Sequence, residues 1–283
     1  MSVFHLAGII PVAGQPLEFD MPWHDSLMPI APDYLAVERA VVECAYAGCE
    51  TIWIVCNDDM QPLIRHRLGD YIQDPVWYYR NFAPDKKGHQ KPIPIYYVPV
   101  HPRDRGKRDC LSWSVLYGAW TANKISSGLS SYLKPDRFYV SFPYGVYDPE
   151  IPREHRKLIS SDEDFYLMSE DRTVVNGEYL GFTFNYDTYQ LLVSEVKEKS
   201  TGLFDGMDKL PLEERFSYRF FDLEDVFSSL RTDNAHKIIV EKYYNIDNWC
   251  GYCHYIAIEG SNAQRPPKYI LNHKEWNGIG IDN

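Results

Sequence analysis

Phe4-His5-Leu6-Ala7-Gly8-Ile9-Ile10-Pro11-Val12-Ala13-Gly14 sets the reading of this chain. An apolar run of strand length meets Pro11, Gly14 and then Pro16, so a strand must give way to a loop. From Tyr34 to Tyr46 the apolar positions Leu35, Val37, Ala40, Val41, Cys44 and Ala45 recur at helical spacing, and Gly48 follows as a stop signal. Thr51-Ile52-Trp53-Ile54-Val55-Cys56 is a β-rich run apolar at nearly every position, the pattern of a strand covered on both faces. A helix over Met60 to Tyr71 and a strand over Ile93 to Val98 complete the alternation. Strand, helix, strand, helix, strand predicts an α/β fold: a mostly parallel central sheet, right-handed crossovers and helices on both faces.

Further on, Trp113 to Leu133 reads as a helix and Arg137 to Phe142 as another inner strand. Beyond Asp148 the pattern loosens into a less regular C-terminal half. It holds a charged stretch to Asp171, a strand around Tyr179 to Phe184, helical turns at Tyr186 to Lys197 and Leu223 to Leu230, and a strand over Ile238 to Tyr244. The expected organisation is one domain over residues 1–259, with halves 1–148 and 149–259, followed by a polar tail at 260–283 that is either loosely packed or wraps onto a neighbour.

The 283 residues are 45% hydrophobic and 24% charged, as in an ordinary globular chain. Forty acidic against 29 basic side chains give a net charge of −11, which argues against nucleic acid or an anionic membrane as partner, since both need a basic face. No run approaches the roughly 18 apolar residues of a membrane helix, and the start lacks the layout of a signal peptide. A cytoplasmic location is expected, and six cysteines without scaffold density fit it. Aromatic residues reach 15%, enough to furnish an interface as well as a core.

Gly8-Ile9-Ile10-Pro11-Val12-Ala13-Gly14, then Ser26-Leu27-Met28-Pro29-Ile30, a helix, and Ala47-Gly48-Cys49-Glu50-Thr51-Ile52-Trp53-Ile54-Val55 resemble the opening of the sugar-phosphate nucleotidyltransferases in order and spacing. The likeness continues more weakly through Ile93 to Val98, the Gly106 loop, Lys134 to Phe142, Gly177 to Phe184 and Tyr243 to Tyr252. It implies the nucleotide-diphospho-sugar transferase-like architecture and transfer of a nucleotidyl group from a nucleoside triphosphate to a sugar phosphate, with release of pyrophosphate. By the same resemblance, Gly8, Ala13, Gly14, Gln15 and Gly106 stand as nucleotide-binding positions, Glu178 and Gly181 as sugar-binding positions, and Asp148 and Asp247 as the catalytic, Mg²⁺-holding carboxylates. Read from the residues alone, the small side chains at Gly8, Ala13 and Gly14 serve close strand–helix packing equally well.

The chain departs from the family where charge matters. The family's loop Arg is replaced by Pro16, Leu17 and Glu18, its Lys by His24, Asp25 and Ser26, and its Gly-Asp pair by Pro143-Tyr144-Gly145. In the closing Tyr243-Tyr244-Asn245-Ile246-Asp247-Asn248 segment, Asn245 stands where the family has its first Asp. Two unit charges about 4 Å apart interact by roughly 4 kcal/mol at an effective dielectric of 20, so exchanging a cation for a carboxylate beside phosphates turns attraction into comparable repulsion. Glu18 and Asp25 could act only through a metal site of a different design. Two functions are therefore carried: an active nucleotidyltransferase using Mg²⁺, and a catalytically silent relative serving as a structural or interaction subunit, as a homo-oligomer or within a larger assembly. A glycosyltransferase taking a ready-made nucleotide sugar ranks behind both for want of a clear Asp-x-Asp metal motif.

Two features lie outside this scheme. Arg103, Arg105, Lys107 and Arg108 form a basic cluster that reads as a solvated loop or an anion contact. Trp249-Cys250-Gly251-Tyr252-Cys253-His254 matches both a c-type haem attachment and a thioredoxin-like pattern. Its place near the C-terminus favours structural cysteines on one helical turn over redox, zinc or haem chemistry.

Overall fold

The computed structural model describes residues 4–14, 23–76, 91–102, 104, 110–130, 133–201, 221–260, 262–267 and 270–271. Strand β1 (Leu6–Pro11) lies inside an eight-stranded sheet and pairs in parallel with β4 (Thr51–Cys56) on one side and β7 (Arg137–Val140) on the other. Short strands β2 (Pro29–Ala31) and β3 (Tyr34–Leu35) make a separate ribbon leading into helix α1 (Ala36–Ala47). After β4 come α2 (Gln61–Leu68), the edge strand β5 (Tyr71–Gln73), β6 (Pro92–Pro99) and α3 (Leu111–Leu129). Beyond β7 follow β8 (Gly145–Val146), α4 (Ile151–Glu154), α5 (Arg156–Ile159), β9 (Phe165–Met168), β10 (Phe182–Phe184) and α6 (Tyr186–Thr201). The described chain continues with α7 (Leu223–Phe227), β11 (His236–Ile239), β12 (Tyr244–Asn245) and α8 (Trp249–Glu259).

The sheet order is β11-β9-β10-β7-β1-β4-β6-β5. Its pairings β1–β4, β1–β7, β4–β6 and β9–β11 are parallel, whereas β10 runs antiparallel to β7 and β9, and β5 to β6. Both faces of the central strands are covered, and their side chains divide between two cores by strand alternation. Leu6, Ile10, Ile52, Ile54 and Cys56 join α1 and α2 residues in one core, while Ala7, Ile9, Trp53, Val55 and Val98 join α3, α6 and α7 residues in the other. Gly8 fits this plan as a packing residue: a Cβ there would stand 2.9 Å from Cys44 Sγ and 3.1 Å from Cys49 Sγ.

Several boundaries differ from the sequence reading for identifiable reasons. Helix α2 ends at Leu68 rather than at Tyr71, because Gly69 adopts φ 77° and turns the chain into β5. Strand β9 lies inside the stretch read as merely charged, its four residues Phe165–Met168 bounded by Asp162, Glu163 and Asp164 before and Glu170 and Asp171 after. The expected strand over Ile238 to Tyr244 divides into β11, which joins the large sheet, and β12, which pairs with β8. Part of the polar tail packs firmly, since Ile270 and Leu271 are buried and Gln73 N donates to the Ile270 carbonyl at 3.1 Å.

Candidate functional site

Topology locates the first candidate site. From β1 the chain proceeds outward through β4 to β6 and then returns across α3 to β7 on the opposite side of β1. The C-terminal ends of β1 and β7 thus flank the point where strand order reverses, the usual ligand crevice of an open α/β sheet. Ala13 and Gly14 leave the end of β1; both Val12 N and Ala13 N donate to the Val55 carbonyl, at 2.9 and 2.8 Å. Ala13 is buried, its carbonyl accepts from the Ser114 hydroxyl, and a Cβ on Gly14 would lie 3.2 Å from Leu111 N. Close packing onto the start of α3 therefore uses the smallness of both residues. Gln15 and Gly106, with Glu18 and the Arg103-to-Arg108 cluster, lie outside the described residues save Asp104.

Beyond β7 the sheet end is buried and aromatic, with carboxylates close by. Tyr144 and Tyr179 meet edge to face with ring centroids 5.6 Å apart, and Phe142 meets Tyr179 at 5.7 Å. Burial pushes both hydroxyls above the ordinary tyrosine range, and neighbouring carboxylates add to the effect: Asp25 at Tyr144, Asp247 and Asp222 at Tyr179. A buried turn over Asp25–Leu27 carries Asp25, and His24 caps it by accepting from Ser26 N at 3.2 Å. Burial lowers the affinity of His24 for a proton, against the pull of Asp25 and Asp59.

Asp148 and Asp247 do not converge. In the antiparallel ribbon Tyr244 pairs with Val146 and Asn245 with Gly145, so Asp247 extends past the Gly145 end and Asp148 past the Val146 end. Asp247 bonds Asn248 Nδ2 at 2.7 Å and bears on Tyr179 at the sheet end, whereas Asp148 lines a cavity together with Lys242. The two carboxylates do not fit a shared Mg²⁺ site, and among the described residues no three His, Cys, Asp or Glu side chains gather as metal ligands. Glu178 is engaged structurally, by Arg172 Nη1 at 2.8 Å and the Tyr243 hydroxyl at 3.0 Å. Gly181 covers a buried polar cluster, where a Cβ would fall 2.5 Å from Tyr139 Oη and 2.6 Å from Glu43 Oε1.

That cluster had no counterpart in the sequence reading. Arg39 and Glu43 lie one helical turn apart on α1, and their side chains are 1% and 0% exposed. Glu43 accepts from Arg39 Nη1 at 2.9 Å, Tyr139 Oη at 2.6 Å, Tyr147 Oη at 2.7 Å and the Ser141 hydroxyl. Arg39 also donates to the Phe142 carbonyl at 2.5 Å and stacks 4.4 Å over the Tyr147 ring. Burial disfavours the Arg39 charge, yet Glu43 together with Tyr147 and Tyr34 outweighs it and holds the guanidinium above its ordinary range. The i, i+4 pairing of opposite charges inside an otherwise apolar helix was the available signal.

Arg39 borders the second candidate site, a cavity of about 1080 Å³. It lies between α1, the Val146–His155 segment, β11, the link from Glu241 to Tyr244, and α8 with the chain after it. Cys250 and Cys253 sit on α8 but are exposed free thiols, so they share a helical turn without serving as core cysteines.

No protein-family model matches the sequence, and no curated protein does either. Solved structures do resemble it. A protein assigned as a glucose-1-phosphate thymidylyltransferase of Bacillus anthracis, in complex with a sucrose, aligns at a TM-score of 0.57 with 10% identity, over 95% of this chain and 100% of that one. UDP-glucose pyrophosphorylase complexed with UDP-glucose aligns at 0.51 with 14% identity, and an apo UDP-glucose pyrophosphorylase at 0.50 with 15%, each over 89% of this chain and 97% of the other. The chain has the α/β fold of the sugar-phosphate nucleotidyltransferases. At such identities the likeness fixes the fold and leaves the chemistry to the residues of the site.

Proposed function

We propose that this protein keeps the nucleotidyltransferase fold without performing nucleotidyl transfer, and acts as an interaction or structural subunit of a larger assembly. The observation that carries this reading is the set of carboxylates packed against buried tyrosines at the sheet end, where Asp247 and Asp222 bear on Tyr179 and Asp25 bears on Tyr144. A triphosphate brought there meets carboxylates where transfer chemistry needs neutralisation of about four negative charges. The separation of Asp148 from Asp247 supports the same reading, as does the replacement of the loop Arg and Lys by Pro16, Leu17, Glu18 and Asp25. For the interaction role, α8 presents exposed Trp249, Cys250, Cys253, Ile256 and Ala257, a stripe at helical spacing with no charged residue.

A second reading, an active enzyme coupling a nucleoside triphosphate and a sugar phosphate, is favoured by the fold likeness over 95% of the chain. Thermal stabilisation separates the two. A ligand at 100 times its Kd stabilises by about 2.7 kcal/mol, a shift of roughly 5–10 °C for a chain of this size. We expect no shift with ATP, UTP or dTTP and Mg²⁺, together with a solution mass above that of one chain or co-purification with a partner. A clear nucleotide-dependent shift refutes the proposal.

A further inference from the structure

Cys250 and Cys253 are cysteines that neither core absorbs. Cys44, Cys49, Cys56 and Cys110 are at most 6% exposed, as is usual for this residue type, whereas Cys250 and Cys253 are exposed free thiols on one turn of α8. That turn is held firmly from its inner side. Asn248 caps it by accepting from Gly251 N at 2.9 Å, and the Tyr252 and Tyr255 hydroxyls donate to the Pro29 and Ile30 carbonyls at 2.9 and 2.8 Å. Gly251 lies so close to β12 that a Cβ there would stand 2.3 Å from the Asn245 carbonyl oxygen. With Tyr252 and Tyr255 turned toward the body of the protein, the helical period sends Cys250 and Cys253 to solvent together.

Helix geometry sets Cα atoms three residues apart at about 5 Å, inside the roughly 4.4–6.8 Å that a disulfide spans. Their Cβ atoms, about 5–6 Å apart, must close to roughly 4 Å. That adjustment falls at the start of α8, where the Cys250 N–H has no intrahelical bond to break. A disulfide closed against such strain is readily reduced, which is the behaviour of an exchanging bond rather than a structural one. Charge leaves the approach open, because the acidic residue of α8, Glu259, stands in its last turn and is paired with Lys242 at 2.9 Å. Metal chemistry at the same turn lacks ligands: among the described residues no three His, Cys, Asp or Glu side chains gather, so His254 does not complete a set with the two thiols.

We propose that Cys250 and Cys253 form a redox-active dithiol that exchanges reversibly with disulfides. One thiolate attacks a sulfur of an incoming disulfide, R–S–S–R, which forms a mixed disulfide with the protein and releases one R–S⁻. The second thiolate attacks the protein-side sulfur, closes the Cys250–Cys253 bond and releases the other R–S⁻. The protein pair gives up two electrons and its two protons; the incoming disulfide takes the electrons, and its two thiolates take the protons through solvent. No nucleotide enters this step, so the proposal goes beyond the silent-subunit reading and stands or falls separately from it.

The test incubates the purified full chain with glutathione disulfide, and separately with insulin as a protein disulfide, followed by alkylation and peptide mapping by mass spectrometry. Wild type should lose both thiols together as an internal disulfide, while Cys44, Cys49, Cys56 and Cys110 remain reduced. Cys250→Ser and Cys253→Ser should each stop at a mixed disulfide and, because both positions are exposed, should unfold at the wild-type midpoint. In glutathione buffers the closed fraction should fall from about 90% to about 10% over a roughly hundredfold change in the ratio of disulfide to squared thiol concentration, as for one two-electron couple. Faster closure by glutathione disulfide marks a small thiol as the partner, and faster closure by insulin marks a protein. No closure by glutathione disulfide, a lasting mixed disulfide on wild type, covalently linked dimers, or a bond that excess reduced glutathione does not open would overturn the proposal.

Discussion

Replacing Glu43 by glutamine removes one charge and one acceptor from a fully buried side chain that takes four hydrogen bonds. Glu43 takes four donors, from Arg39, Tyr139, Ser141 and Tyr147, at zero exposure. Glutamine fills the same space, but its NH₂ must face one of those donors, and Arg39 is left buried without its counter-charge. Breaking a buried ion pair from one side costs about 3–5 kcal/mol, and an unpaired hydroxyl about 1–3 kcal/mol more. Against a total stability of about 5–15 kcal/mol, the variant should lose about 4 kcal/mol or more and should populate unfolded chain at modest denaturant. Urea unfolding of wild type, Glu43→Gln, Arg39→Met and the double variant would measure this, with m held constant as the check on two-state behaviour. The cycle should give a coupling energy of about 2–3 kcal/mol between the two residues. A loss below about 1 kcal/mol in Glu43→Gln, or coupling near zero, would refute the assignment of this cluster as a mutually dependent buried network.

Gly181→Ala should destabilise by more than about 2 kcal/mol, because its Cβ would enter the same cluster 2.5 Å from Tyr139 Oη; urea midpoints would show it, and a neutral outcome would refute the close approach. His24 holds a lowered proton affinity in the folded state, mainly through burial. The unfolded chain therefore binds the extra proton, so the stability this residue supports is present above about pH 6.5 and is lost as pH falls below that, with a slope of at most about 1.4 kcal/mol per unit. His24→Asn should flatten that part of the stability–pH curve, and an unchanged slope would contradict it. A thiol reagent under native conditions should modify Cys250 and Cys253 rapidly while Cys44, Cys49, Cys56 and Cys110 stay protected until unfolding, as counted by mass spectrometry. Equal rates at all six would show that the native packing is wrong.

The sheet was legible because its central strands announce themselves. Thr51–Cys56 is apolar nearly throughout, and in the fold its alternate residues feed two different cores. Gly48 and Gly69 both stop helices, and only the second was misplaced, since the apolar residues beyond it, Tyr71 and Ile72, suit a helix as well as an edge strand. The outer half was harder to read: β9 and β12 are four and two residues long, too short to show a period. The site was legible only in its losses. Absent basic residues can be seen in a sequence, but the divergence of Asp148 and Asp247 follows from the register of a two-pair ribbon, which no local pattern encodes. Arg39 and Glu43 were visible as a helical charge pair, and their complete burial depends on Tyr139, Ser141 and Tyr147, about a hundred residues away.

The central claim is that this fold persists here without its chemistry. Pyrophosphate release measured with purified full-length protein, Mg²⁺, each of the common nucleoside triphosphates and a panel of sugar 1-phosphates tests it most directly. The account predicts release no faster than in the protein-free control for every combination. Sustained release that requires both a particular triphosphate and a particular sugar phosphate, with the matching nucleotide sugar formed, would contradict it.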